Sequence, residues 1–259
     1  MDLSCEGMRV VVTAGGAGIG RAITETLTAH GARLYICDVD SDRLTELRLA
    51  LPNIGATLAD VSDPAQVDRF IDAAIDHLGG LDVLINNAGI AGPAAPVEEV
   101  AVDEWDRTMA VNISGQFYCA RRAVPYLKAS GGGAIINLSS AAGLFGYPLR
   151  APYATSKWAV IGFTKTLAME LGGHGIRVNA ICPGPVEGPR IDGVIASRAE
   201  AQGQPFDAVR ERYLQQNSLH TFIAAQEIAD LVLFLCSDAG RKISGQALSI
   251  DGNTETLRI

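Results

Sequence analysis

The chain has 259 residues, of which 48% are hydrophobic and 19% charged, with a formal net charge of −8. This is globular composition, long enough to bury a large core. The acidic balance and the lack of any Lys/Arg run argue against a nucleic-acid surface and against a basic membrane patch.

The pattern then alternates along the chain. MRVVVTA (8–14) is β-branched, ends at glycines and reads as a buried strand. AGIGRAITETLTAHG (17–31) reads as an amphipathic helix, with Ile19, Ala22, Ile23 and Leu27 on one side and Gly31 as its stop. RLYICD (33–38) is a second strand. Residues 41–50 are helical with Leu44 and Leu47 inward, ATLAD (56–60) is a short strand, and 64–78 is a helix faced by Val67, Ile71, Ala74 and Ile75. DVLINNAG (82–89) is a strand running into a turn, 103–129 one long helix, and GAIINLSS (133–140) a strand. Residues 152–171 are helical, and IRVNAICPG (176–184) is a strand stopped by Pro-Gly. AQEIADLVLFLCS (225–237) is a helix and QALSIDG (246–252) the last strand.

Such alternation implies an α/β fold: a Rossmann-like, doubly wound, mostly parallel seven-stranded sheet with helices on both faces. Runs such as VVV suit strands covered on both sides. No composition break divides the chain, so 1–259 reads as one domain. Residues 185–218 interrupt the rhythm. They are polar, partly helical and without a strand, and they follow a strand's carboxyl end, where open sheets bind ligands; they read as a substrate lid. MDLSCEGMRV lacks the basic start and apolar core of a signal peptide, and runs such as LVLFLC (231–236) are too short to cross a bilayer. The five cysteines form no C-x-x-C and read as buried thiols of a cytoplasmic protein; the four histidines show no ligand spacing, so no metal is expected.

Two places carry chemistry. In TAGGAGIG (13–20), glycines bring backbone N–H groups to a helix N-terminus, which favours an anionic phosphate. About twenty residues on, Asp38 closes the second strand, where a carboxylate can accept hydrogen bonds from an adenosine ribose. It would repel a 2′-phosphate, and neither Ala17 nor Val39 offers a cation, so NAD is favoured over NADP. Ser41 is better placed than Asp38 to cap the following helix. The second place is PYATSKWAV (152–160). Tyr153 and Lys157 are one turn apart on one helix face, just after a proline suited to a first turn.

With these motifs in order, the chain resembles the short-chain dehydrogenase/reductase family over nearly its whole length. TAGGAGIG resembles the family's glycine loop, and NNAG (86–89) follows the fourth strand as it does there. Ser140 in SS (139–140) stands thirteen residues before Tyr153, YATSK carries the tyrosine–lysine pair, PGPV (183–186) follows the sixth strand, and Asn112 in MAVNISG matches the helix asparagine. Two positions depart from the pattern. Ala14 stands where the loop usually has glycine, and alanine resists positive φ, so Gly15 and Gly16 would absorb the difference. Gly188 replaces a threonine likely to touch cofactor in the family, which would loosen the lid's hinge.

The resemblance implies hydride transfer between a nicotinamide and a secondary alcohol or ketone, with NAD as cofactor and a homotetramer as the assembly. The helices at 103–129 and 152–171 are candidates for one interface and SIDGNTETLRI (249–259) for another. Tyr153 would be the general acid/base. An ammonium about 4 Å away favours a phenolate by roughly 4 kcal/mol at an effective dielectric near 20, enough to bring a phenol from about 10 toward neutrality. Lys157 would supply that charge and bind the nicotinamide ribose, Ser140 would hold the substrate oxygen, and Asn112 would hold a water linking Lys157 to solvent. Gly15, Ala17, Gly18, Ile19 and Gly20 would cradle the cofactor with Asp38, Asp60 and Val61 at the adenosine, Asn87 near the ribose and Val186 at the carboxamide. The small-molecule substrate would be a polyol, sugar or sugar acid, with Leu144, Phe145 and Tyr147 as walls and Arg190 available for an acidic group. Two other readings stay open. A 3-oxoacyl-acyl-carrier-protein reductase would want NADPH and a basic docking patch. A non-catalytic dinucleotide sensor would have lost the catalytic residues.

Overall fold

A computed structural model describes residues 3–257, so the first two and last two positions of the expected domain lie outside it. Seven strands, β1 (Arg9–Thr13), β2 (Arg33–Asp38), β3 (Gly55–Leu58), β4 (Val83–Asn86), β5 (Gly133–Leu138), β6 (Ile176–Pro183) and β7 (Ala247–Ile250), form one sheet in the order β3-β2-β1-β4-β5-β6-β7. Every neighbouring pair is parallel. The helices are α1 (Gly18–Ala29), α2 (Ser41–Ala50), α3 (Pro64–Leu78), α4 (Val102–Met109), α5 (Gly115–Ala129), α6 (Ala151–Leu171), α7 (Pro189–Gln202), α8 (Phe206–Leu214) and α9 (Ala225–Cys236). Among the described residues no helix is long and apolar enough to cross a membrane.

The period of two along β1 explains the layering. Val10 and Val12 point to one face, where they join Ile23 and Leu27 of α1 and Ile228 and Val232 of α9. Val11 points to the other, against Phe70 and Ile71 of α3 and Cys119 and Ala123 of α5. All three valines are fully buried, each worth roughly 1.5–3 kcal/mol relative to exposure. Burial on both faces therefore produces the unbroken apolar runs seen in the sequence. The chain reverses direction of build between β1 and β4, and the carboxyl ends of the strands there form the crevice in which such sheets take ligands.

The structure revises some sequence expectations and adds detail to others. The long helix at 103–129 is α4 and α5 joined by a π-turn at Ala110–Ser114. The turn widens the helix around Asn112, whose side chain replaces local contacts with bonds to the Ile90 backbone. The cap of α2 is Asp40, not Ser41: Asp40 has extended φ and ψ, and its carboxylate accepts from the N–H groups of Asp42 and Arg43. The segment at 185–218 is mostly α7 and α8, and its stem is zipped, since Val186 and Ile223 form a parallel bridge. Residues 216–219 then pair with the C-terminal stretch at 252–255, around an Asn217–Thr254 bridge. Part of the stretch read as an interface is thus engaged within the chain.

The glycine loop shows how tightly the crevice is built. Ala14 itself takes φ 51°, a conformation that costs an L-residue roughly 1–2 kcal/mol; the following glycines do not relieve it. A side chain at Gly20 would run into the Ala14 carbonyl and stand 2.6 Å from Asn87 Nδ2. Gly20→Ala should therefore destabilise the fold by about 1–3 kcal/mol, whereas Ala14→Gly should change stability by less than about 1 kcal/mol. Denaturant unfolding of both variants checks the pair; equal stability of Gly20→Ala and wild type would contradict the packing described.

Candidate active site

A cleft of about 610 Å³ runs from the glycine loop past the sheet's carboxyl edge to α7 and α8. At one end lie Ala17, Gly18, Ile19 and Gly20. The N-terminus of α1 has no side-chain cap, since Ala17 precedes it, so its first N–H groups are available to an anion. Gly15 sits behind this surface, donating to the Cys37 carbonyl at 3.0 Å and packing on Ile36. Asn87 braces the loop. Its Nδ2 donates to the Thr13 and Ala14 carbonyls, both at 3.0 Å, and its N–H donates to Thr13 Oγ1.

Asp38 lines the cleft and is only 4% exposed. Its Oδ2 accepts from Gly16 N–H at 3.0 Å and its Oδ1 from Asp40 N–H at 3.2 Å, which leaves lone pairs for a further donor. Asp60 and Val61 line the same end. Burial opposes ionisation of Asp60, but bonds from Ser62 and then Arg107 outweigh it and hold its carboxyl below the usual carboxylate range. Arg107, from α4, and Arg43, ion-paired to Asp40 at 3.0 Å, also line this end. Neither was visible in the sequence as a site residue, because each stands at a helix position that reads as solvated.

Midway along the cleft the tyrosine and lysine converge. Lys157 is 3% exposed, its Nζ donates to the Leu138 carbonyl at 2.9 Å, and it stands 5.7 Å from the centre of the Tyr153 ring. Tyr153 is half-buried and opens on the cleft. Burial raises the energy of its phenolate and is the largest single influence. Lys157, then Arg190, the neighbouring Ser140 hydroxyl and Arg150 all act the other way, and the net direction is downward from the ordinary tyrosine value. Lys157 is also lowered, by burial first, with Tyr153 opposing. A phenol poised in this way can exchange a proton with a hydroxyl in the cleft.

Ser140 lines the cleft beside Tyr153 while its Oγ accepts from Ala142 N–H, so the strand-end cap and the site share one hydroxyl. Asn112 does not reach the cleft wall and is fully buried. Its Nδ2 donates to the Ile90 carbonyl and to Ser156 Oγ, and its Oδ1 accepts from Ile90 N–H. Ser156 Oγ donates in turn to the Tyr153 carbonyl, so Asn112 braces the helix turn that carries the phenol.

Val186 lines the cleft next to Gly188, whose φ of 129° favours glycine and sets the entry into α7. Arg190 forms no ion pair with Glu187 or Asp192; its Nη1 donates to the Gly89 carbonyl at 3.2 Å. The far end is walled by Ala91, Tyr147, Val194, Tyr213 and Leu257, with Arg150 and Gln216 among them. The Tyr147 and Tyr213 hydroxyls meet at 3.1 Å, joining α8 to the loop before α6.

The family model described as enoyl-(acyl carrier protein) reductase matches residues 13–253. A trans-4-hydroxycyclohexanecarboxylate dehydrogenase of Sinomonas cyclohexanicum is 39% identical over 255 residues, covering 94% of this chain and 92% of its own. A D-beta-hydroxybutyrate dehydrogenase of Rhizobium meliloti is 35% identical over 249 residues, with 93% and 96% covered. A solved NAD⁺-bound xylitol dehydrogenase superposes with a TM-score of 0.91 at 28% identity, covering 96% of this chain and 99% of that one. The sheet order, the glycine loop and the tyrosine–lysine turn agree with these matches: the chain is a member of the short-chain dehydrogenase/reductase family, oxidoreductases acting on CH–OH groups.

Proposed function

We propose that the chain is an NAD-dependent dehydrogenase that interconverts a small secondary alcohol and its ketone. The observation that carries this reading is that the Tyr153 phenol, drawn toward ionisation, opens on the same cleft as the buried Asp38 carboxylate. The residues fit a nicotinamide dinucleotide. The uncapped start of α1 suits its pyrophosphate, and Asp38 retains acceptor capacity for a ribose hydroxyl while repelling a 2′-phosphate. Gly89 keeps the centre open, since a Cβ there would stand 3.3 Å from both Lys157 Nζ and Asn112 Oδ1.

In this reading Gly18, Ile19 and Gly20 hold the phosphates, with Gly15 and Ala17 shaping the loop. Asp38, Asp60 and Val61 hold the adenosine, Asn87 supports the ribose region, Tyr153 and Lys157 take the nicotinamide ribose, and Val186 takes the carboxamide. NAD, when bound, supplies the acceptor for the hydride that leaves the carbinol carbon. Ser140 donates to the substrate oxygen and orients it. Tyr153 accepts the carbinol proton during oxidation and returns it during reduction. Lys157 favours the phenolate, and with two donors left after Leu138 it passes the proton outward through a water bridged to Asn112. Helices α7 and α8 act as the lid, turning at Gly188 and excluding water when closed.

The walls narrow the substrate. Ala91, Val194 and Leu257 give the hydroxyls of a polyol or sugar no partners. A compact body, ring or short chain, fits them better. The names of the Sinomonas and Rhizobium relatives, both hydroxy acids, support that direction, and the xylitol enzyme keeps the polyol alternative in view. Arg190 adds positive charge beside the reacting oxygen. Exposed Phe117, Trp158 and Met169 on α5 and α6 support assembly of copies, a homotetramer, through those helices. Five buried free cysteines suit work in the cytoplasm.

Tyr153→Phe should lower kcat/KM for NADH formation by at least about 100-fold while NAD binding persists. Activity within a few-fold of wild type would refute the assignment, and NAD binding without turnover in the wild type would favour a sensor. Alcohol oxidation should rise with pH up to the depressed Tyr153 pKa, because the base form does the work. Arg190→Met removes a cation that lowers that pKa, so the rising limb should move to higher pH. A kcat/KM profile against pH reads the shift, and an unmoved limb would show that Arg190 does not act on the phenol.

A further inference from the structure

The cleft wall includes two buried residues, Arg150 and Gln216, whose side chains keep donors unspent among the described residues. Arg150 is 6% exposed and Gln216 is 4% exposed, and both line the cleft. Arg150 Nη2 donates to the Ala91 carbonyl at 3.0 Å, but Arg150 Nε has no partner. Gln216 Nε2 likewise has none. Arg150 spends only Nη2 on a described partner, so its guanidinium keeps charge and donor capacity at the wall of a chamber that can admit an acceptor.

Both line the same cleft as Tyr147 and Tyr213. Arg150 lies over the rings of Tyr147 and Tyr153, 5.8 and 5.5 Å from the ring centres. The Tyr147 hydroxyl meets that of Tyr213, and Gln216 follows Tyr213 by one turn, its N–H bonded to the Tyr213 carbonyl. Glu255 N–H donates to the Gln216 carbonyl, so the C-terminal stretch fixes the backbone that carries the carboxamide. Charge points the same way. Lys157, Arg190 and Arg150 all bear on Tyr153, and Glu187 is the lone carboxylate among the described residues lining this half of the cleft. No described acidic side chain pairs with Arg150. The two tyrosine faces compensate a buried guanidinium only in part.

Resting on the dehydrogenase reading above, we propose that the substrate is a hydroxy acid whose carboxylate, remote from the carbinol, is received at the cleft wall lined by the Arg150 guanidinium and the Gln216 carboxamide. A guanidinium donates to a carboxylate in a charge-assisted bond, roughly twice as strong as a neutral one. The carbinol then lies toward Ser140 and Tyr153, and the apolar walls of Ala91, Val194 and Leu257 flank the carbon frame between. Arg150 and Gln216 would select the substrate and fix its reach, leaving the proton transfer to Tyr153.

The test compares acids with their own methyl esters in one assay: 3-hydroxybutanoate and 4-hydroxycyclohexanecarboxylate, each against its ester, with kcat/KM for NADH formation as the readout. At least one acid should exceed its ester by roughly 10- to 100-fold, as expected for hydrogen bonds to a charged group. In Gln216→Glu, which keeps the size and adds a repelling charge, and in Arg150→Met, the acid-to-ester ratio should collapse toward one, chiefly through KM of the acid. Loss of folding would lower both substrates alike, so the ratio separates recognition from damage. Esters turned over as well as acids, or an acid preference that survives both variants, would overturn the proposal and leave the dehydrogenase reading standing. No NADH from any acid or ester, with NAD still bound, would overturn the proposal and count against the dehydrogenase reading together.

Discussion

The site depends on a phenol and an ammonium confined to one helical turn in a half-buried cleft. Burial alone would make Tyr153 a weaker acid, and it would also strip Lys157 of its proton more readily. Each group corrects the other: the ammonium lowers the cost of the phenolate, and the phenolate lowers the cost of the ammonium. Neither would be useful near neutral pH without the partner. Arg190 and Arg150 add to the positive field, which makes the tyrosine the focus of three cations drawn from α6, the loop before it and the entry to α7.

The sheet makes that arrangement affordable. Parallel strands covered on both faces bring all their carboxyl ends to one edge, and the reversal between β1 and β4 opens a crevice there. The edge is stiffened by bonds that cross it. Thr13 and Asn87 tie the end of β1 to the end of β4, Asn112 ties the π-turn to Ile90, and Lys157 is held by the end of β5. The strained Ala14 belongs to the same construction, since its carbonyl serves Asn87 and abuts Gly20. Strain at one residue is tolerated where the neighbours determine its conformation several times over.

Much of this was legible in the residues. The i, i+4 spacing of Tyr153 and Lys157, the glycine loop and the carboxylate closing β2 are local patterns, and local geometry alone fixes which way they point. The strands of the sheet announced themselves because apolar runs bounded by glycine and proline have few other uses. What stayed hidden depends on distant partners. Arg150 looks like any surface arginine until Tyr147, Tyr153 and Ala91 close around it. Gln216 becomes a wall residue only because 216–219 pair with 252–255. The π-turn is paid for by Ile90, some twenty residues away, and nothing in MAVNISG itself reveals it. Asp40 and Ser41 are both good caps, and only the extended backbone at Asp40 decides between them.

The account rests on the ionisation of one side chain, and that can be observed directly. In protein labelled with ¹³C at the tyrosine ζ carbons, an NMR titration follows each phenol, and Tyr153 is assigned by the signal missing from Tyr153→Phe. The account predicts that Tyr153 titrates below the ordinary tyrosine value of about 10 and that Lys157→Met moves it upward. A Tyr153 signal that titrates at or above that value in the wild type, or that ignores the loss of Lys157, would contradict it.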